Sequence, residues 1–229
     1  MHATPVFHLM NRFFKTIISL LIVCFALTGE AKTIRELFAD EPDDIFILLS
    51  KSTRLDMLDY FDVGKMVTVE NSLSAGKKVS RLLKVTDSSI DVALTKSSQV
   101  SMTLLTSAKA DSVIAVVKTY QLPYFDSQIS FYDTNWTKLN TSKYFEEPTV
   151  KSFIVPGTDK KMVNEILQTV KFSLISYSIE QADNGAITLT ASLNLEGVMV
   201  KEDYDRIKDY LSKTVEYRLE NMKFKPIKR

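Results

Sequence analysis

The chain has 229 residues, 29 Lys and Arg against 28 Asp and Glu, a single cysteine at Cys24 and two histidines, His2 and His8. Beyond residue 24 there is neither thiol nor imidazole, which excludes Cys–His and Ser–His nucleophilic pairs and Cys/His zinc sites from that part of the molecule. A net charge of +1, with no basic stripe, excludes the electrostatic footprint of a nucleic-acid binder and of a polybasic membrane surface.

Arg12 and Lys15 precede an apolar run from Ile17 to Leu27, and Thr28-Gly29-Glu30-Ala31 offers the small residues a signal peptidase reads. Residues 1–31 are therefore expected to be a removable export signal, with cleavage after Ala31. The run falls short of the ~20 apolar residues of a membrane span, so no anchor is expected after cleavage. Val23 before Cys24 is poorly suited to lipidation. Residues 32–229 then carry equal numbers of acidic and basic side chains and no cysteine, so a packed core must supply their stability.

The first part of that region has helical signals. Thr33-Ile34-Arg35-Glu36 is a capping box leading into Leu37 and Phe38. Pro42, Asp43 and Asp44 predict a second helix carrying Ile45, Phe46, Leu48 and Leu49, and Thr53-Arg54-Leu55-Asp56 a third carrying Leu58, Tyr60 and Phe61, ended by Gly64. From Lys65 to Asn140 the period changes to two. Val67 and Val69, Leu83 and Val85, Ile90 with Val92 and Leu94, and Val100 with Met102 and Leu104 predict an antiparallel meander. Ser112 to Tyr120 is apolar on both faces and should be its most buried strand. Ser127 to Asp133 follows, and Thr134-Asn135 turns the chain into Trp136 and Leu139.

Pro148, Pro156 and Gly157 mark residues 141–158 as a linker. Thr158 is placed as the cap of a helix with Met162, Val163, Ile166 and Leu167. Asn184-Gly185 joins strands around Ile175, Tyr177, Ile179 and Ile187, Leu189, Ala191, Leu193. Tyr204, Ile207 and Leu211 predict another helix, Val215, Tyr217 and Leu219 a last strand, and Lys223, Lys225, Lys228 and Arg229 a solvated tail. The expected fold is α+β, mainly antiparallel sheet. A helical segment plus meander (32–140) and a C-terminal α-β-β-α-β unit (141–229) close one domain.

Arg54-Leu55-Asp56-Met57 with Asp59, Val116-Val117-Lys118-Thr119-Tyr120, and Ser130-Phe131-Tyr132-Asp133-Thr134-Asn135-Trp136 together resemble an uncharacterised family of small exported proteins from Bacteroidales-type bacteria. Glu41 before Pro42 departs from the Met that the family tends to have there. The resemblance implies a diderm envelope and a periplasmic or outer-surface address, and supplies no activity.

Carboxylates are the acid–base groups left in quantity. Asp56 and Asp59 lie at i and i+3, and Asp43-Asp44, Glu146-Glu147 and Asp203-Asp205 are further pairs of the kind glycoside hydrolysis uses. Helix capping and the helix dipole account for most of them without chemistry. No calcium loop, no phosphate loop and no Ser-x-x-Lys accompanied by its supporting motifs is present, so no metal, cofactor or catalytic residue is assigned. The densest aromatic segment contains Tyr120, Tyr124, Phe125, Tyr132 and Trp136, the first choice for a contact surface. The expected role is a non-catalytic binding or scaffold protein of the envelope, with an envelope protein, glycan or lipid as partner. The alternatives are a carboxylate-dependent glycan hydrolase and a carrier of an apolar ligand such as a lipid.

Overall fold

Thr33 starts the first helix, α1 (Ile34–Ala39), as its pattern requires: its Oγ1 accepts the Glu36 N–H at 3.2 Å and the Glu36 carboxylate accepts the Thr33 N–H at 2.8 Å. The computed structural model describes residues 31–227 apart from 66, 108–111 and 122, so the expected export signal, Lys228 and Arg229 lie outside the described residues.

The second expected helix does not form. Glu41 is buried, and its carboxylate oxygens accept the backbone N–H groups of Asp43, Asp44, Ile45 and Phe46 at 2.7 to 3.3 Å. A side chain thus satisfies the free N–H groups that make a helix N-terminus, and Asp43 at φ +64° turns the chain out of helical geometry. The next helix, α2 (Lys51–Asp62), begins before Thr53, because Ser50 is its cap and accepts the Thr53 N–H at 3.2 Å. The expected Thr53–Asp56 box is therefore absent, and Asp56 sits exposed within the helix. Gly64, at φ +69°, follows the helix end.

Seven strands, β1 (Val69–Glu70), β2 (Lys78–Val85), β3 (Ser89–Ala93), β4 (Ser98–Thr106), β5 (Ser112–Gln121), β6 (Phe125–Tyr132) and β7 (Lys138–Leu139), form an antiparallel sheet in chain order, the expected meander. The two faces of β5 divide two cores. Ile114 and Val116 join Ile90, Val92, Val100 and Met102 beneath α1, α2 and the 45–49 loop, while Val113, Ala115 and Val117 join Ile129 and Phe131 on the other face. One strand departs from its expected phase. A bulge between Leu82 and Lys84 turns Leu82 into the core and leaves Leu83 37% exposed, against the alternation that put Leu83 inside, while Val85 beyond the bulge packs against the core as expected.

A second antiparallel sheet, in the order β11-β10-β9-β8, packs on the far face of the first. It comprises β8 (Ile175–Gln181), β9 (Ile187–Leu193), β10 (Thr214–Glu220) and β11 (Lys223–Pro226). Its edge strand β8 meets β6, where the Ile175 N–H donates to Asp126 Oδ1 and the Tyr177 N–H to Ser127 Oγ, both at 3.2 Å, so side chains close an open strand edge. β11 lies where the basic pattern predicts a solvated tail. Phe224 is instead fully buried, and one core-facing residue among lysines is enough to dock the strand on β10.

Residues 141–158 do not form a linker. They contain α3 (Thr141–Tyr144) and a 3₁₀ turn (Val150–Phe153), and they bury Tyr144, Phe145 and Phe153 in the core between the sheets. The following helix, α4 (Lys160–Thr169), is capped by Asp159 rather than Thr158. Together with α5 (Lys201–Ile207) it encloses a small third core of Ile166, Val170, Leu195 and Ile207. Among the described residues no helix is long and apolar enough to cross a membrane.

Candidate functional site

The second sheet covers β5 and β6 and leaves one end of the same face open over β2 to β4. In an antiparallel meander the start of β2, the β3–β4 turn, the end of β5 and the start of β6 all come to one end of the sheet. There they enclose an open groove of about 460 Å³. Alternation puts Arg81, Ala93, Gln99, Thr119, Gln121 and Phe125 on its floor, in register from strand to strand.

Three cations, Lys78, Arg81 and Lys96, line the groove, and no carboxylate does. Among the described residues none of the three has an ion-pair partner. Glu70, opposite Lys78 in the β1–β2 register, stays outside the lining. Thr95, Ser97, Ser98 and Thr119 contribute hydroxyls, Gln99 and Gln121 amides, and the half-exposed ring of Phe125 (45%) closes one side. Such a surface can offer charge-assisted hydrogen bonds to an anion, neutral ones to hydroxyls, and one apolar ring face.

The five aromatic residues singled out in the sequence do not form one surface. Phe125 lies in the groove, whereas Tyr120, 53% exposed, is on the opposite face of the sheet because it shares the phase of Val116 and Ile114. Tyr124 binds within the protein, its hydroxyl donating to the Gly197 carbonyl. Tyr132 and Trp136 sit at the other end of β6, 5.7 Å apart ring to ring, packed against the core beneath α1 and α2. Trp136 adopts φ +65° in a turn held by the Asp133 carboxylate, which accepts the Asn135 and Thr137 N–H groups, so it is half-buried.

The Tyr124–Gly197 contact ties the β5–β6 turn to the loop after β9. Gly197 has φ +76°, and a Cβ there would stand 2.8 Å from the Tyr124 hydroxyl. Gly197→Ala is expected to lower stability by about 1–3 kcal/mol in urea denaturation, from backbone strain plus the displaced ring. A change within about 0.5 kcal/mol would show that the contact holds nothing together.

The carboxylate pairs are mostly engaged elsewhere. Asp43 pairs with Arg54 at 2.6 Å, Asp203 with Arg206 at 2.8 Å and Asp205 with Lys208 at 2.7 Å. Asp56 and Asp59 are exposed on α2. Glu146 and Glu147 share a separate cleft with Tyr217, Lys223 and Lys225. Their charges add to burial, the larger cause, in raising the pKa of Tyr217 and Tyr177. No three of His, Cys, Asp and Glu come together as a metal site among the described residues.

Asp91 lies outside the groove lining on β3, opposite Ser101 and Lys84 in the register of its neighbours. Burial raises its pKa above the ordinary value, opposed by the Ser101 hydrogen bond and the Lys84 charge. The unfolded chain then releases this proton first, so the stability contributed by Asp91 below its unfolded pKa is lost as pH rises through its folded value. Asp91→Asn should flatten that fall, making the variant gain melting temperature relative to the parent from about pH 3 to pH 7. Parallel profiles for the two would contradict the assignment.

Sequence reasoning passed over Lys78, Arg81 and Lys96. Each was a polar neighbour in a half-buried strand or turn, and the alternation does mark Arg81, Gln99 and Thr119 as sharing one face.

The fold is shared with a solved structure, that of a domain of an uncharacterized protein from Porphyromonas gingivalis W83, at 23% identity and a TM-score of 0.71 over 86% of this chain and 98% of that one. No curated protein matches the chain. Residues 26–224, from before the capped α1 into β11, match a family model, and the chain therefore belongs to the family described as "Protein of unknown function (DUF3256)".

Proposed function

We propose that the chain is an exported, non-catalytic binding module of a bacterial envelope, with the groove at the open end of the seven-stranded sheet as its contact surface. The observation that carries this reading is the groove itself: a concavity within the ~300–1,000 Å³ range of ligand sites, lined by three cations with no ion-pair partner among the described residues, by hydroxyls, amides and one aromatic ring, and by the aliphatic Val79, Leu83 and Ala93. It contains no carboxylate to act as general acid or base, which supports binding over hydrolysis. Its polar floor also sets it apart from the pocket an apolar ligand would select. The basic and apolar N-terminal segment supports export.

Two measurements test this. Protein recovered from the envelope fraction of producing cells should begin at Lys32 or a neighbour; an intact Met1 in the cytosolic fraction overturns export. The purified protein should retain soluble carbohydrate extracted from envelopes, and Phe125→Ala should reduce that retention. Unreduced retention places the contact surface elsewhere, and turnover of the retained material overturns the non-catalytic reading.

A further inference from the structure

We propose that the groove selects acidic carbohydrate, a chain of sugars bearing carboxylates, and this rests on the binding reading above. The argument starts from charge. Over the whole chain the acidic and basic residues nearly cancel, yet the groove gathers Lys78, Arg81 and Lys96 with no acid among its lining residues. A local excess of cations in a concave, partly low-dielectric surface concentrates anions. Arg81 lies on the groove floor, where its planar fork matches a carboxylate, and Lys78 and Lys96 add charge from two neighbouring segments.

The rest of the lining distinguishes a sugar from a bare anion. The hydroxyls of Thr95, Ser97, Ser98 and Thr119 and the amides of Gln99 and Gln121 each combine donor and acceptor capacity; Thr95 bonds Ser98, Thr119 bonds Ser127 and Gln99 donates to Ser101, which leaves these groups further capacity for ring hydroxyls, more than a small anion would use. Phe125 supplies an apolar face for the C–H side of a pyranose ring, a contact that phosphate cannot use. One ring and three cations are too few for the serial stacking of a single-stranded nucleic acid. A volume of about 460 Å³, open to solvent, suits an internal stretch of an oligosaccharide that enters and leaves.

The test is titration calorimetry of the purified protein with three acidic probes (tetragalacturonate, an oligomannuronate and a hyaluronan tetrasaccharide) and with neutral maltotetraose, inorganic phosphate and phosphatidylglycerol vesicles. At least one acidic oligosaccharide should bind, at least tenfold more tightly than maltotetraose, and more weakly at high salt. Arg81→Gln should weaken that binding about tenfold and Phe125→Ala several-fold. Both side chains are exposed, so neither change should move the unfolding midpoint. Equal binding of maltotetraose overturns the acidic class. Phosphate binding as tight as the oligosaccharide overturns the sugar, and vesicle binding with no oligosaccharide binding points to a lipid surface and overturns both. If no acidic probe binds while envelope carbohydrate is still retained, the inference fails and the binding reading stands; if neither is bound, both fail.

Discussion

Glu41→Ala should destabilise the protein by about 3–5 kcal/mol in urea denaturation, because it leaves the Arg54 guanidinium buried with a depleted set of partners. Both side chains are fully buried. Arg54 donates to the carbonyls of Ala39, Glu41 and Leu49 at 3.2, 2.5 and 2.7 Å and to Asp43 Oδ1 at 2.6 Å, and Glu41 Oε2 stands 3.6 Å from Nη1. The same carboxylate holds four backbone N–H groups of the 43–46 loop, so one substitution unsatisfies the loop and unbalances the cation together. Since Ala39 ends α1, Leu49 precedes α2 and Arg54 lies within it, the network fixes how the helical layer covers the sheet. Arg54→Leu should also be costly, and the double variant should lose clearly less than the sum of the two. Additive losses, or a Glu41→Ala cost below about 1 kcal/mol, would show that the loop is held by packing alone.

This network also marks where sequence reasoning stopped. The meander was legible because each strand buries one face, and β5 was legible because it buries two: Val113, Ala115 and Val117 face one core and Ile114 and Val116 the other. The Asn184-Gly185 hairpin was legible from its turn residues alone. Pro42-Asp43-Asp44 misled because a helix N-terminus and a loop folded around a carboxylate expose the same run of N–H groups; only the burial of Glu41 separates them, and burial is a tertiary property. The bulge at Leu83 slipped the phase of one strand by one residue, which no local pattern announces. The candidate site was half legible. Alternation identifies which side chains share the polar face, but which part of that face stays open depends on where β8 docks, through Asp126 and Ser127 contacts nearly fifty residues apart in the chain.

The β8 docking makes the aromatic core between the sheets a control point for the groove, and Phe145 is its centre. Its ring meets those of Tyr177 on β8, Tyr217 on β10 and Phe224 on β11 at 5.5, 5.0 and 6.2 Å, all three edge to face. Pro148 and the nearby turn residues suggested a linker here, yet Phe145 is 1% exposed and joins three strands of the second sheet. Phe145→Ala removes those contacts and leaves a cavity that rigid sheets cannot collapse, so a loss of about 3–5 kcal/mol is expected. Phe145→Leu, which keeps most of the volume, should cost less than half of that. A further readout separates packing from simple weakening. If the second sheet is seated chiefly by this residue, hydrogen exchange in Phe145→Ala should accelerate most at the Ile175 and Tyr177 amides, whose acceptors Asp126 and Ser127 belong to the first sheet. Amides of β3 and β4, in the core beneath α1 and α2, should accelerate only as far as the global loss of stability requires. Uniform acceleration in both sheets would mean that the two cores unfold as one unit and that Phe145 does not control the seating of β8.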